Sequence, residues 1–165
     1  MKVILLLAII FSTSYANELK VCSFSEGCKL YTMFTNAFVN YDDAKDLCQN
    51  NAIIPGNDLL TIRSQEEFQL IRRKMIANEM HVKDSSAPAN GYWIGLDDIG
   101  HQQDFRWDDG TSPTFTPWAE NNPNNLFGDQ NCVQLWKKAM LKWDDDFCYK
   151  QKDVLCEKDI CQGDA

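Results

Sequence analysis

Residues 118–125 read WAENNPNN, with four asparagines within positions 121–125 and a proline between Asn122 and Asn124. Asn and Pro are both turn residues, so turn chemistry accounts for part of the run. A turn does not need so many side-chain oxygens, and Asp129 adds more just downstream. Whether these amides bind something is the question that the rest of the chain has to answer.

Breaking a bond would take different residues. A hydrolase needs a nucleophile paired with a base, or a metal-bound water. The chain has two histidines, His81 and His101, and neither an HExxH nor a GxSxG motif, so the chemistry points to binding and not to catalysis. The net charge is −8, and −9 once Lys2 is left out. With no basic run beyond Arg72-Arg73-Lys74, a nucleic acid or an anionic membrane is a poor partner. The same acidity suits divalent cations, or plain solubility.

The elements that position these residues follow from the rest of the chain. Lys2, the apolar run Val3–Phe11 and the small residues around Ser14 and Ala16 form a secretory signal peptide at 1–16, too short to span a membrane. It implies an extracellular protein, and the 149 remaining residues suit a single domain. All seven cysteines lie beyond the signal, where an oxidising compartment makes them disulfides and their odd number leaves one thiol over. Asn40 ahead of YDDAKDLCQ predicts a helix with Tyr41, Ala44, Leu47 and Cys48 on one face. Ser64 and Glu67 form a capping box before a second helix carrying Phe68, Ile71 and Met75. After Gly91 the pattern turns to short strands, YWIGL, DFRW, CVQLW, LKW and DVLCEK. Trp93, Trp107 and Trp143 occupy strand positions where large aromatics are buried. The polar stretch 108–131 is long for a compact domain and therefore reads as functional. Two helices followed by short antiparallel strands make an α+β class.

In this order the pieces resemble the C-type lectin domain over roughly Cys28 to Cys156. GCKLY enters it, YDDAKDLC and LLTIRSQEEFQLI match its two helices, YWIGLDD its signature strand, and FRWDDG the approach to its long loop. Asn122-Pro123-Asn124 stands where the family carries Glu-Pro-Asn or Gln-Pro-Asp, Gln130-Asn131-Cys132 where Glu-Asp-Cys or Glu-Asn-Cys is usual, and Trp143-Asp144-Asp145 for Trp-Asn-Asp. The resemblance implies a domain at 28–158, preceded by an extension at 17–27 and followed by a tail at 159–165. It also implies disulfides Cys48–Cys156 and Cys132–Cys148. Cys22–Cys28 then suits an N-terminal hairpin bridge and leaves Cys161 for a disulfide-linked homodimer; a terminus-to-terminus bridge with Cys161 is the alternative.

The resemblance further implies a secreted, calcium-dependent glycan-binding protein of the kind used in innate immunity. Its Ca²⁺ and carbohydrate ligands would be Asn122, Asn124, Gln130, Asp144 and Asp145, across a cis Asn122–Pro123 bond. Three of these depart from the family pattern: Asn122 for Glu or Gln, Gln130 for Glu and Asp144 for Asn. The last two exchange acid and amide, which keeps a site while inverting its hydrogen-bond polarity. Gln102, Asn125 and Asn131 fall where an auxiliary calcium site would want carboxylates, with only Asp98 to supply one. Asn124 favours mannose-, fucose- or GlcNAc-type sugars over galactose, and the inverted pair argues the other way. Trp118 and Phe127 flank the loop as candidates for stacking on a sugar. The competing expectation is a module of the same fold that binds protein, ice or mineral without sugar.

Overall fold

The computed structural model describes residues 19–52, 55–77 and 90–161; the signal segment 1–16 and His81 lie outside these. Its elements are β1 Lys20–Glu26, β2 Lys29–Val39, α1 Tyr41–Asn50, β3 Asp58–Leu59, α2 Gln65–Ala77, β4 Gly91–Asp97, β5 Arg106–Trp107, β6 Cys132–Trp136, β7 Lys142–Asp146 and β8 Lys152–Asp159. The strands form one sheet in the order β1-β2-β8-β4-β6-β7, with β3 on β8 and β5 on β4.

Both helices start as their caps predict. Asn40 Oδ1 accepts from Asp43 N at 2.9 Å, and Ser64 Oγ accepts from Glu67 N at 3.1 Å. Glu67 reaches back one residue further than a standard capping box, to Arg63 N. Tyr41, Ala44 and Cys48 bury one face of α1, and Phe68, Ile71 and Met75 one face of α2. β4 lies between β8 and β6 and is buried from Gly91 to Leu96. That explains its unbroken apolar run, since a central strand covered on both faces does not alternate. A first core cluster joins α2 to Tyr92, Ile94, Leu135 and Trp143; a second joins α1 to Phe34, Trp93 and Val154. Trp93, Trp107 and Trp143 are core residues, at most 2% exposed.

The strands are not all antiparallel. β4 runs parallel to β8, with Tyr92 opposite Asp153 and Trp93 opposite Val154. The chain between them makes a crossover through β5, β6 and β7, and a parallel pair needs such a long connection. The N-terminal hairpin that the resemblance implies is present, without the bridge expected across it. β1 and β2 pair from Lys20↔Thr35 to Glu26↔Lys29 around the turn Gly27-Cys28, with Gly27 at φ 57°, where a two-residue hairpin favours glycine.

This hairpin corrects one disulfide. Cys48–Cys156 and Cys132–Cys148 form, but the third bridge is Cys28–Cys161, not Cys22–Cys28. Cys22 lies within β1, and four extended residues up to Glu26 carry the chain about 13 Å away, beyond the roughly 7 Å between Cα atoms that a disulfide tolerates. Cys28 sits in the turn, where Ile160 N donates to its carbonyl at 2.7 Å and brings Cys161 to a Cα separation of 4.9 Å. Cys161 therefore has no thiol left for the homodimer expected through it. The odd cysteine is Cys22, half-buried against the first core cluster, where burial pushes its thiol above the ordinary value.

Two outcomes follow. Thiol titration should find one free thiol per chain, at Cys22, and it should react slowly until the protein is denatured. Replacing Cys28 and Cys161 together by Ser should destabilise the chain by about 2–5 kcal/mol, measured by urea unfolding with the other two bridges intact.

Candidate functional site

The long loop is fastened to β7. Ala119 N donates to Trp143 O at 2.7 Å and Trp143 N to Pro117 O at 3.0 Å. Two residues along, on the same face of the strand, the Asp145 carboxylate accepts Asn124 N at 2.9 Å and Asn125 N at 2.6 Å. Asp145 is buried, and both bonds are charge-assisted. The Asn122–Pro123 peptide bond is cis, and the Asn124 amide donates to Asn122 Oδ1. Asn122, Asn124 and Asp145 thus come together at the turn. Asp145 also lines, with Asp98, Gln103, Phe105, Pro123 and Asn125, an open cavity of about 320 Å³.

Gln130 closes the loop from below. Its Oε1 accepts from Leu126 N at 2.7 Å, its backbone N donates to Asn125 Oδ1 at 3.1 Å, and its Nε2 donates to Asp146 Oδ1 at 3.2 Å. Asp144 lies apart from this group. Strand alternation turns it to the face opposite Asp145, where Asp144 Oδ2 accepts from Gln134 Nε2 at 2.7 Å. Gln134 Nε2 also reaches Asp146 Oδ2 at 3.2 Å. Gln130 and Asp144 are therefore joined through Asp146 and Gln134.

Gln134, Asp146 and Lys152 form a buried polar network that the sequence reading missed. Lys152, 1% exposed, donates to Asp146 Oδ2 and Asn90 Oδ1, both at 2.7 Å, and its ammonium lies 4.9 Å from the Trp93 ring centroid. Asp146 Oδ1 also meets Lys150 at 2.7 Å and accepts from Phe147 N. Burial opposes the charge on Asp146, but Lys152 and Lys150 outweigh it and hold the carboxyl below the usual carboxylate value. Burial lowers the Lys152 ammonium against the pull of Asp146. Gly91 makes room for this network, because a Cβ there would stand 1.8 Å from Gln134 Oε1. The sequence signal available was the third aspartate of WDDD and a lysine at a strand position, both of which read equally well as surface residues.

Asp98 Oδ2 accepts from Gln103 N at 2.6 Å and Gln102 Nε2 at 3.2 Å, while its Oδ1 is buried without a partner. Among the described residues no three His, Cys, Asp or Glu side chains cluster as a metal site. The candidate donors near the loop are amide oxygens with Asp145 and Asp144, an all-oxygen set whose chemistry fits a hard cation. Trp118 packs edge-on to Trp143 at 5.5 Å and belongs to the core margin, whereas Phe127 is 87% exposed.

Asp144 carries a measurable cost. Burial pushes its carboxyl up to about 6, aided by Asp146 and Asp145 and opposed by the Gln134 hydrogen bond. A carboxyl raised in the folded state destabilises it once ionised, so this group's share of stability falls as pH rises from about 4 to 6. In calcium-free buffer, Asp144→Asn should stabilise the chain by on the order of 1–2 kcal/mol at pH 7.5 and leave it unchanged at pH 4; thermal unfolding across pH checks this. Lys152→Met should instead destabilise by about 3 kcal/mol, since it strands a buried carboxylate.

Comparison with known proteins agrees with this fold. The description "Lectin C-type domain" matches residues 38–158. Lectin BRA-3 of Megabalanus rosa is 36% identical over 123 residues, 74% of this chain and 67% of that protein. The crystal structure of C-type lectin CEL-I from Cucumaria echinata superposes with a TM-score of 0.67 at 25% identity, covering 82% of this chain and 93% of that one. A calcium-independent type II antifreeze protein superposes with a TM-score of 0.65 at 23% identity, covering 88% and 98%, and so shares the fold alone. The chain belongs to the C-type lectin domain family.

Proposed function

We propose that the protein is a secreted, calcium-dependent carbohydrate-binding protein. It is a binding module and not an enzyme, and its family relationship supports a lectin-like function. The observation that carries the finer reading is the turn around Pro123. Asn122 and Asn124 meet there over a buried Asp145 that grips the backbone of Asn124 and Asn125. Asn122, Asn124 and Asp145 would hold Ca²⁺, and Gln130 and Asp144 are the two further ligands that the family pattern proposes, both engaged with other partners here. The ion would accept two vicinal sugar hydroxyls into its oxygen shell. The amides then donate to those hydroxyls and the carboxylates accept from them. With Asn124 in the Glu-Pro-Asn position, a mannose-like pair of equatorial vicinal hydroxyls, the 3,4 pair of mannose or GlcNAc or the 2,3 pair of fucose, is preferred over galactose. The signal segment 1–16 supports secretion, and 28–158 is the functional domain.

The second reading is a module that binds protein, ice or mineral. It is favoured by the weak charge of the donor set, in which Asn122 and Gln130 stand for carboxylates.

A mannose or GlcNAc resin should retain the protein in calcium and release it with EDTA; retention in EDTA, or none in calcium, selects the second reading. Asp145→Asn should lower calcium affinity at least roughly tenfold, about 1.4 kcal/mol, in titration calorimetry. Gln130→Glu should tighten calcium by adding a carboxylate.

A further inference from the structure

Among the described residues, three aromatic side chains beside the loop form a row whose two ends are exposed. Phe127 is 87% exposed and Tyr149 70%, with half-buried Phe147 between them. The Phe127 and Phe147 centroids are 6.4 Å apart at an interplanar angle of 23°, and Phe147 and Tyr149 5.4 Å apart at 31°. A single exposed apolar residue needs no explanation, but a contiguous, aligned row marks a binding surface.

The row is held in place by the loop's own network. Phe127 has left-handed backbone angles, φ 60° and ψ 9°, an unfavourable state for a bulky residue that persists only where the surroundings impose it. Those surroundings are the Gln130 bonds: Leu126 N donates to Gln130 Oε1, and Gln130 Nε2 donates to the Asp146 oxygen that also accepts Phe147 N. The Cys132–Cys148 bridge fastens the chain between Phe147 and Tyr149. The groups that shape the amide loop thus also align the rings.

We propose that Phe127, Phe147 and Tyr149 form a second sugar subsite, which stacks on residues beyond the terminal sugar and selects β-linked GlcNAc-type oligosaccharides over the monosaccharide. This rests on the reading of the amide loop as a sugar site. A pyranose with equatorial substituents presents axial C–H groups on both faces, which suit the electron-rich face of an aromatic ring. Its rim of hydroxyls needs polar neighbours, and the row is flanked by them. Lys150 lies 5.1 Å from the Phe147 centroid, and Asp129 is exposed on the loop beside Phe127. A protein or lipid partner would be better served by an unbroken apolar face.

Calorimetry in calcium with GlcNAc and chitotriose tests the proposal on the full chain, using wild type, Phe127→Ala, Tyr149→Ala and the conservative Phe127→Tyr. Wild type should bind chitotriose at least roughly tenfold more tightly than GlcNAc. Each alanine variant should lose roughly three- to tenfold for chitotriose and stay within about twofold for GlcNAc, with Phe127→Tyr close to wild type. Equal affinity of wild type for the two sugars overturns the subsite while leaving the loop reading intact. So does an equal loss for both sugars in the alanine variants, or an unchanged chitotriose affinity with a shift in sedimentation, which would make the row a self-association face. If wild type binds neither sugar, the loop reading fails and the subsite fails with it.

Discussion

The arrangement depends on one buried carboxylate. Asp145 has no solvent exposure and uses both oxygens to hold the backbone of Asn124 and Asn125. A charge in that position is tolerable only because it is fully engaged. The long polar loop has little apolar surface to bury, so these bonds and the Ala119–Trp143 and Trp143–Pro117 bonds are what give it a shape. All of these anchors come from one edge of β7, and the position of the amide turn is therefore the position of β7. That strand is in turn set by the buried Trp143 and by the Cys132–Cys148 bridge beside its far end.

Below the loop, the protein places an ammonium where a purely apolar core would be easier to build. Lys152 and Asp146 neutralise each other, and Gln134 and Gln130 use the remaining lone pairs to reach Asp144 and the loop. A buried ion pair is weak evidence for net stability. Its effect here is on geometry, because it fixes which way two glutamines point. Asp146 is saturated by this network and is not a spare ligand, so the acidic triplet Asp144-Asp145-Asp146 divides into three different tasks. Asp145 grips the loop, Asp146 anchors the interior, and Asp144 has its carboxyl raised by burial and by like charge, against the Gln134 hydrogen bond.

Much of the fold was legible in the chain. Asn40, Ser64 and Glu67 mark helix starts through local hydrogen bonds, and Phe68, Ile71 and Met75 repeat at the helical period. YWIGL reads as a buried strand because it is one, covered on both faces. The family motifs proposed Asn122, Asn124, Gln130, Asp144 and Asp145 as one set, but their types alone did not say which of them touch. Period-two alternation sends Asp144 and Asp145 to opposite faces of β7, and the partners found there, Gln134 and Asn124, come from segments 10 and 21 residues away.

By itself, then, the sequence determined what is local or compositional: the acidic, cysteine-rich α+β character, the helix boundaries, the amide-rich loop, and the two bridges that the family resemblance implied. Tertiary structure alone decided the rest, because it depends on contacts between distant residues. The β1–β2 hairpin carries Cys22 away from Cys28 and the last strand brings Cys161 to it, which moves the odd thiol to the other end of the domain. The crossover to β8 makes one strand pair parallel and lowers Lys152 into the core beneath the site. Spacing along a chain does not encode such encounters, since they are selected by which packing buries the apolar surface and pairs the buried charges.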